Sequence, residues 1–334
     1  MKPVLCAASL CAALCLAGEA AADDSSAALG MGGIVFTQSS DIRMAQEDLR
    51  ISPKSVHIRF VFANDSGKDI DTMVAFPLPD IDTSQFSEEA LGTTLPEPVN
   101  FVGFAVAADG NPVSFAVEQR AFYKGRDVTA FLRGLGMPIH IVAPDFVKTL
   151  DALSPDKKKK LEAADLTDSE SGESEHPHWT VSTKFYWRQH FPAGKTVILD
   201  QSYQPVTGQS FFSASELDEK SEDGRYYVKN FCIDAAARAT LMKNIGASKK
   251  ANPANGGLLN AFTTDYILKT GNNWKGPIGH FHLTLDKLKP DDILSLCWDG
   301  ALKKTGPTTF EAVRDNFAPK SNIRLLVLEN APKQ

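Results

Sequence analysis

The side chains most able to do chemistry in this chain are two histidine pairs, His176/His178 and His280/His282. Alternate residues of an extended strand share a face, so His280 and His282 could both reach one zinc or copper ion. His190 or Asp286 would be available to complete such a set. The plainer reading is a pair of wet strand residues, because Phe281, Leu283 and Leu285 take the alternate, core-facing positions. His176 and His178 adjoin the acidic stretch TDSESGESEH (Thr167 to His176), which favours solvated imidazoles. Trp274, between glycine-bearing turns, offers a stacking platform for a sugar or peptide, or else closes the end of a core. Asp65, Asp69 and Asp71 could give oxygen ligands, but their spacing is not that of a calcium-binding EF-hand loop and turn chemistry explains them. Gly194-Lys195-Thr196 lacks the first glycine of a phosphate loop, since Gln189 stands there. Gly30-Met31-Gly32-Gly33 loses the dinucleotide pattern at Val35. No HExxH, GxSxG or paired cysteine ligand set is present, so no catalytic residue and no cofactor is assigned.

The elements that would carry these residues are mostly strands. Ser55 to Pro79 organises the rest: Val56, Ile58, Phe60 and Phe62 alternate with His57 and Arg59, the period-two mark of a half-buried strand. Asn64 to Asp69 supplies turn residues, and Ile70, Thr72, Val74 and Phe76 resume the alternation, so the stretch reads as a hairpin with one oily face. The segment before it, Asp23 to Gly33, reads as a loose leader, and Ile34–Phe36 and Ile42–Ile51 read as short strands. Asp109-Gly110 is a hairpin turn signal. Helices are expected from Asp127, from Pro144-Asp145, from Ser154, where Lys157 to Lys160 form a solvated face, and from Asp234. Val181 to Trp187, a Pro192–Lys195 turn and Val197 to Tyr203 restore strand texture, and the last third is mostly β.

These elements imply a mainly β (α+β) fold, a β-sandwich core with a partly helical insertion and a β-rich C-terminal portion. The organisation expected is a signal peptide at 1–22, sandwich strands at 23–122, a helical and acidic insertion at 123–178, strands completing the sandwich at 179–207, and a β-rich portion with one helix at 208–334. Lys2, the apolar run Val4 to Leu16 and the small residues before Asp23 form a secretory signal cut after Ala22, and no segment of the mature chain is long enough to span a membrane. Of five cysteines, only Cys232 and Cys297 survive that cut, and they form either one disulfide or two buried thiols. A net charge of -6, from 35 basic and 41 acidic residues, argues against nucleic acid as a partner. Hydrophobic content of 43% and charged content of 23% are ordinary for a folded domain, which excludes a disordered chain.

The chain resembles the bacterial domain-of-unknown-function family 4424 across the mature sequence. The resemblance rests on Ile34-Val35-Phe36, Asp41-Ile42-Arg43-Met44, Phe76-Pro77-Leu78-Pro79-Asp80, Tyr186-Trp187-Arg188-Gln189, Phe191 to Lys195 and Trp274 to Gly279. It implies no activity and transfers no catalytic residue. The first half also resembles the vault/inter-alpha-trypsin β-sandwich domain, through the same Phe-Pro-Leu-Pro edge and Gly103-Phe104, which implies fold only. The reading of function is therefore an exported periplasmic protein that binds or scaffolds an unknown protein or glycan partner. The alternatives are a metal-dependent periplasmic enzyme using His280 and His282, and a carbohydrate or peptide binder using Trp274.

Overall fold

The computed structural model describes residues 25–30, 33–84, 97–143, 145–168 and 176–330. The expected signal peptide and its expected cut after Ala22, the first three cysteines and most of the acidic stretch lie outside the described residues.

Strands β1 (Ser25–Gly30) and β2 (Gly33–Phe36) pair antiparallel, so strand begins earlier than a loose leader would allow. Ala27 and Ile34 gain a buried patch with Ala75, enough to hold this short hairpin on the sheet. Next come β3 (Ile42–Ile51), β4 (Val56–Asn64) and β5 (Ile70–Pro77). Val56, Ile58, Phe60 and Phe62 of β4 are buried, as the alternation requires. The hairpin expected from Ser55 to Pro79 is not formed, because β4 pairs with β3 whereas β5 pairs with β1. A hairpin would set both oily faces on the same side of one sheet, whereas an arch between sheets lets them face each other across the core. Asn64 fixes the arch: its Oδ1 accepts from the Ser66 N–H and hydroxyl at 3.0 and 2.7 Å. Its Nδ2 donates to the Lys68 and Phe191 carbonyls.

The chain continues through β6 (Ile81–Asp82), β7 (Ala105–Ala108), β8 (Asn111–Pro112) and β9 (Ala116–Tyr123). The turn at Asp109-Gly110, with φ 47° and 79°, joins β7 to β8 as a two-residue hairpin before the chain crosses to the other sheet. After β10 (Arg126–Asp127) the insertion folds as α1 (Thr129–Leu135), α2 (Phe146–Asp151) and α3 (Pro155–Ala163). Asp127 accepts from the Thr129 N–H at 2.9 Å, and Gly136 closes α1 in the left-handed region. Leu132, Phe146, Leu150, Leu161 and Trp179 make the insertion's own core. It ends in the paired β11 (Thr167–Asp168) and β12 (His176–Pro177).

The long β13 (Thr180–Phe191) and β14 (Thr196–Tyr203) are joined by a second arch at Pro192–Lys195, again not a hairpin. The two arches support each other: Asn64 N–H donates to the Lys195 carbonyl and Gly194 N–H to that of Ser66. There follow β15 (Thr207–Phe212), α4 (Glu222–Asn230), α5 (Ala235–Ala251), β16 (Leu259–Tyr266), β17 (Ile278–Asp286), β18 (Ile293–Ser295), β19 (Lys303–Lys304), β20 (Thr309–Phe317) and β21 (Ile323–Asn330). Asp234 caps α5 through the Ala237 N–H at 2.8 Å.

The fold is mainly β, with few helices. A seven-stranded sheet in the order β10-β9-β13-β5-β1-β2, with β6 beside β13, faces an eight-stranded sheet in the order β19-β20-β17-β3-β4-β14-β7-β8. Val74, Phe76 and Phe185 of the first meet Phe60, Phe62 and Phe281 of the second in one core. The 208–334 portion is shared out: β17, β19 and β20 enter the eight-stranded sheet, and β15-β16-β21-β18 form a sheet of their own under α4 and α5.

Candidate functional site

The outward face of the eight-stranded sheet is a charged grid whose rows follow from the strand register. Where Leu49, Ile58 and Leu199 turn inward, their neighbours must turn outward. One row runs Val313, His282, Asp48, Arg59, Asp200, Ala107 across six strands. The next runs Glu311, Thr284, Arg50, His57, Ser202, Ala105. Opposite charges placed side by side pair up. Arg59 reaches both Asp200 oxygens, at 2.8 and 3.1 Å. Arg50 meets Asp286 at 2.6 Å. His282 stands between Glu311 at 3.5 Å and Asp48 at 3.9 Å, and Gln46 donates to Asp48 at 2.8 Å. Towards β7 the outward residues shrink to Ala105 and Ala107, and Pro112 rises at the edge. The missing side-chain bulk leaves an open hollow of about 520 Å³.

A bulge sets which residues of β3 reach this face. Register slips between Met44 and Gln46, so Ile42 and Met44 are buried and, after the slip, Leu49 and Ile51. The same slip turns Glu47 inward, where Tyr266 donates to its carboxylate at 3.2 Å. The parity change between Met44 and Leu49 is visible in the sequence and is the signal that would have found the bulge.

A family model described as "Domain of unknown function (DUF4424)" matches residues 22–326. The chain belongs to this family. No curated protein matches it in sequence. Among solved structures it is similar to a crystal structure of a "putative nutrient binding protein" from Legionella pneumophila, at 15% identity and a TM-score of 0.44. That match covers 92% of this chain and 70% of the other. The DUF4424 blocks serve packing more than chemistry. Leu78 of Phe76-Pro77-Leu78-Pro79-Asp80 donates its N–H to the Thr183 carbonyl, and Phe76 is wholly buried. Lys275 of the Trp274 to Gly279 block donates its N–H to Ile42, and its ammonium sits 3.3 Å from Asp65.

The residues singled out in the DUF4424 sequence are scattered rather than gathered. Trp274 is 3% exposed and lies 4.5 Å from the Phe62 ring and 6.2 Å from Phe191, so its indole is spent in the core and gives a sugar no face to stack on. His280 shares the outward side of β17 with His282, but its Nδ1 is 2.8 Å from Asp315. His190 belongs to the opposite sheet and pairs with Asp71 at 2.9 Å, while Asp286 is held by Arg50. His178 lies 3.2 Å from Asp168, beside the insertion. Among the described residues, no three or more histidine, cysteine, aspartate or glutamate side chains are grouped to hold a metal. Asp65 takes Arg43 and Lys275, whose hydrogen bonds hold its carboxyl below the usual range. Asp69 accepts from the Ala193 N–H. Lys157, from the lysine run, donates to the Leu135 carbonyl at 2.8 Å. Cys232 and Cys297 are joined as a disulfide that ties the end of α4 to the segment after β18. No helix among the described residues is long and apolar enough to cross a membrane. Asp200 and Asp48 were not legible as site residues, because their partners arrive from strands far away in sequence. His57 and Arg59 were legible only as an outward face.

Proposed function

We propose that this protein is a non-enzymatic binding or scaffold protein of the bacterial periplasm, and that its partner lies across the outward face of the eight-stranded sheet. The observation that carries the reading is the grid itself: five strands present hydrogen-bonding side chains in register, beside a floor lowered by Ala105 and Ala107 of the sixth. Its charges are largely paired within the sheet, so the face suits an uncharged, hydroxyl-rich partner, a glycan chain, better than a highly charged one. Its openness suits a partner that extends beyond it. Export is supported by Lys2, the Val4 to Leu16 run and the small residues ending at Ala22, and by a disulfide that persists in an oxidising compartment.

The test uses immobilised mature protein challenged with neutral hexasaccharides of glucose and of N-acetylglucosamine, and then with periplasmic extract. Retention of a hexasaccharide, reduced at least tenfold by Arg59→Ala, is the expected result. Arg59 and Asp200 are both about half exposed, so the substitution should cost under about 1 kcal/mol of stability, and lost binding would not reflect unfolding. Turnover of any substrate in a broad hydrolase panel, abolished by His282→Ala, would overturn the reading.

A metal-dependent enzyme is the second reading. Its support is only that His280 and His282 share the outward side of β17, since each already lies beside carboxylates and no metal-holding group of three stands among the described residues. Elemental analysis of protein purified without chelator, together with melting before and after EDTA, decides it. Absence of stoichiometric metal ends that reading.

A further inference from the structure

A second cavity, of about 400 Å³, lies where the underside of the four-stranded sheet meets the end of the sandwich. Its floor is Phe262 of β16 and buried Val327 of β21, and its apolar sides include Pro53, Pro205 and Leu288. One polar side chain at its rim is unusual. Lys287 is only 7% exposed, yet its ammonium forms no ion pair with a described residue. Its Nζ donates to the Pro290 carbonyl at 2.6 Å and to the Asp292 carbonyl. An ammonium carries three donors, so one remains. Charged groups taken out of water are normally held by a counter-charge, and two carbonyl dipoles supply only part of one. Burial is the largest cause pushing the Lys287 pKa down, with Lys304 adding to it and Asp292 and Asp291 opposing it. Lys289 at the same rim is engaged by Glu329, which leaves Lys54, an exposed lysine of the lining, as the second cation at the cavity. Two carboxylates, Asp292 and Glu329, also line the cavity; burial raises the Asp292 carboxyl pKa, and Glu329 is taken up by Lys289.

We propose that this cavity is a binding site for a small organic carboxylate, with its carboxylate between Lys287 and Lys54 and its apolar body on Phe262 and Val327. The volume falls in the lower part of the range of small-molecule sites, and a mostly apolar lining with a few convergent polar groups is their usual build. Gln209 stands at the wall to hydrogen-bond a polar substituent. The site is distinct from the outward sheet face: its lining comes from β15, β16, β21, the loop after β17, the β3–β4 turn and the β14–β15 link, and shares no residue with the hollow on that face.

Calorimetric titration of the full mature protein with 4-phenylbutyrate, with 4-phenylbutanol of the same shape, and with inorganic phosphate tests it. The expected result is binding of the carboxylate at least tenfold tighter than the alcohol, with phosphate alone the weakest. Lys54→Ala, at an exposed position, should weaken 4-phenylbutyrate several-fold, and Gln209→Trp, which fills the cavity, should abolish binding. Lys287→Met should do the same, and the other two variants decide the matter should that one fail to fold. Arg59→Ala should leave this binding unchanged, which separates the site from the one proposed above. Equal affinity for acid and alcohol, binding indifferent to Lys54→Ala and Gln209→Trp, phosphate binding as tightly as the carboxylate, or no binding at millimolar concentration would each overturn the proposal.

Discussion

His140 sits between Phe101, whose ring lies 4.3 Å away, and the N–H of Val142, which donates to its Nδ1 at 3.1 Å. At 2% exposure it cannot take a second proton without stranding a charge, and burial lowers its pKa to about 4. The unfolded chain keeps the ordinary imidazole value of about 6.5. Between those two values the unfolded state holds a proton that the folded state refuses, so stability is full above the upper value. It falls as pH drops through the window, by up to about 3 kcal/mol. Melting curves from pH 7 to pH 4 should show this loss in wild type, with a clearly shallower slope in His140→Asn, whose amide oxygen can still accept from Val142. A sequence reader sees only Ile139-His140-Ile141. Nothing local says that the imidazole is sealed between the insertion and the sandwich, because Phe101 comes from another part of the chain. His57 and Arg59 are the opposite case: their outward aim follows from β4 alone, but Arg59's bond to Asp200 needs the pairing of β4 with β14.

At the scale of the elements, alternation revealed the strands, and turn residues revealed where they end. What they could not reveal is whether the next strand stays in the sheet or crosses to the other. Asn64–Asp69 and Pro192–Lys195 carry the same turn chemistry as a hairpin, yet both are arches, decided by contacts such as Asn64 to Phe191 that lie 127 residues apart. The α4 helix was hidden for a related reason. Its run of serine and acidic residues reads as loop until Ser221 is seen to cap it by accepting from the Gly224 N–H. Close approach of strands makes its own demand at Gly279, where an added Cβ would stand 2.6 Å from the Ala45 carbonyl oxygen at the β3 bulge. A carbonyl in a paired strand cannot rotate away, so Gly279→Ala should destabilise the fold by about 1–3 kcal/mol. Gly67→Ala, which meets nothing within 4 Å, should be close to neutral. Urea denaturation midpoints of the two variants make the comparison.

For the whole molecule, the sandwich, the insertion and the four-stranded sheet with its helices each keep a core of their own, and β3 from the first quarter of the chain pairs with β17 from the last in the eight-stranded sheet. The Cys232–Cys297 disulfide encloses α5, β16 and β17 within a separation of 65 residues. A loop of that length restrains the unfolded chain by about 4 kcal/mol in the chain-entropy account. Reduction, or the Cys232→Ser/Cys297→Ser pair, should lower the denaturation midpoint accordingly. An unchanged midpoint would show that the helices over the small sheet hold without it.

The parallel pairing of β3 with β17 also governs when this protein can become itself. Arg50 and Asp286, which clasp across that seam, are 236 residues apart. While the polypeptide is still incomplete, β3 has an open hydrogen-bonding edge and nothing to close it until the final fifth of the chain arrives. Such late, distant closures are slow, and a bare edge invites mispairing with neighbours. The nascent molecule therefore has a long interval in which its unpaired edge is open to association with other chains.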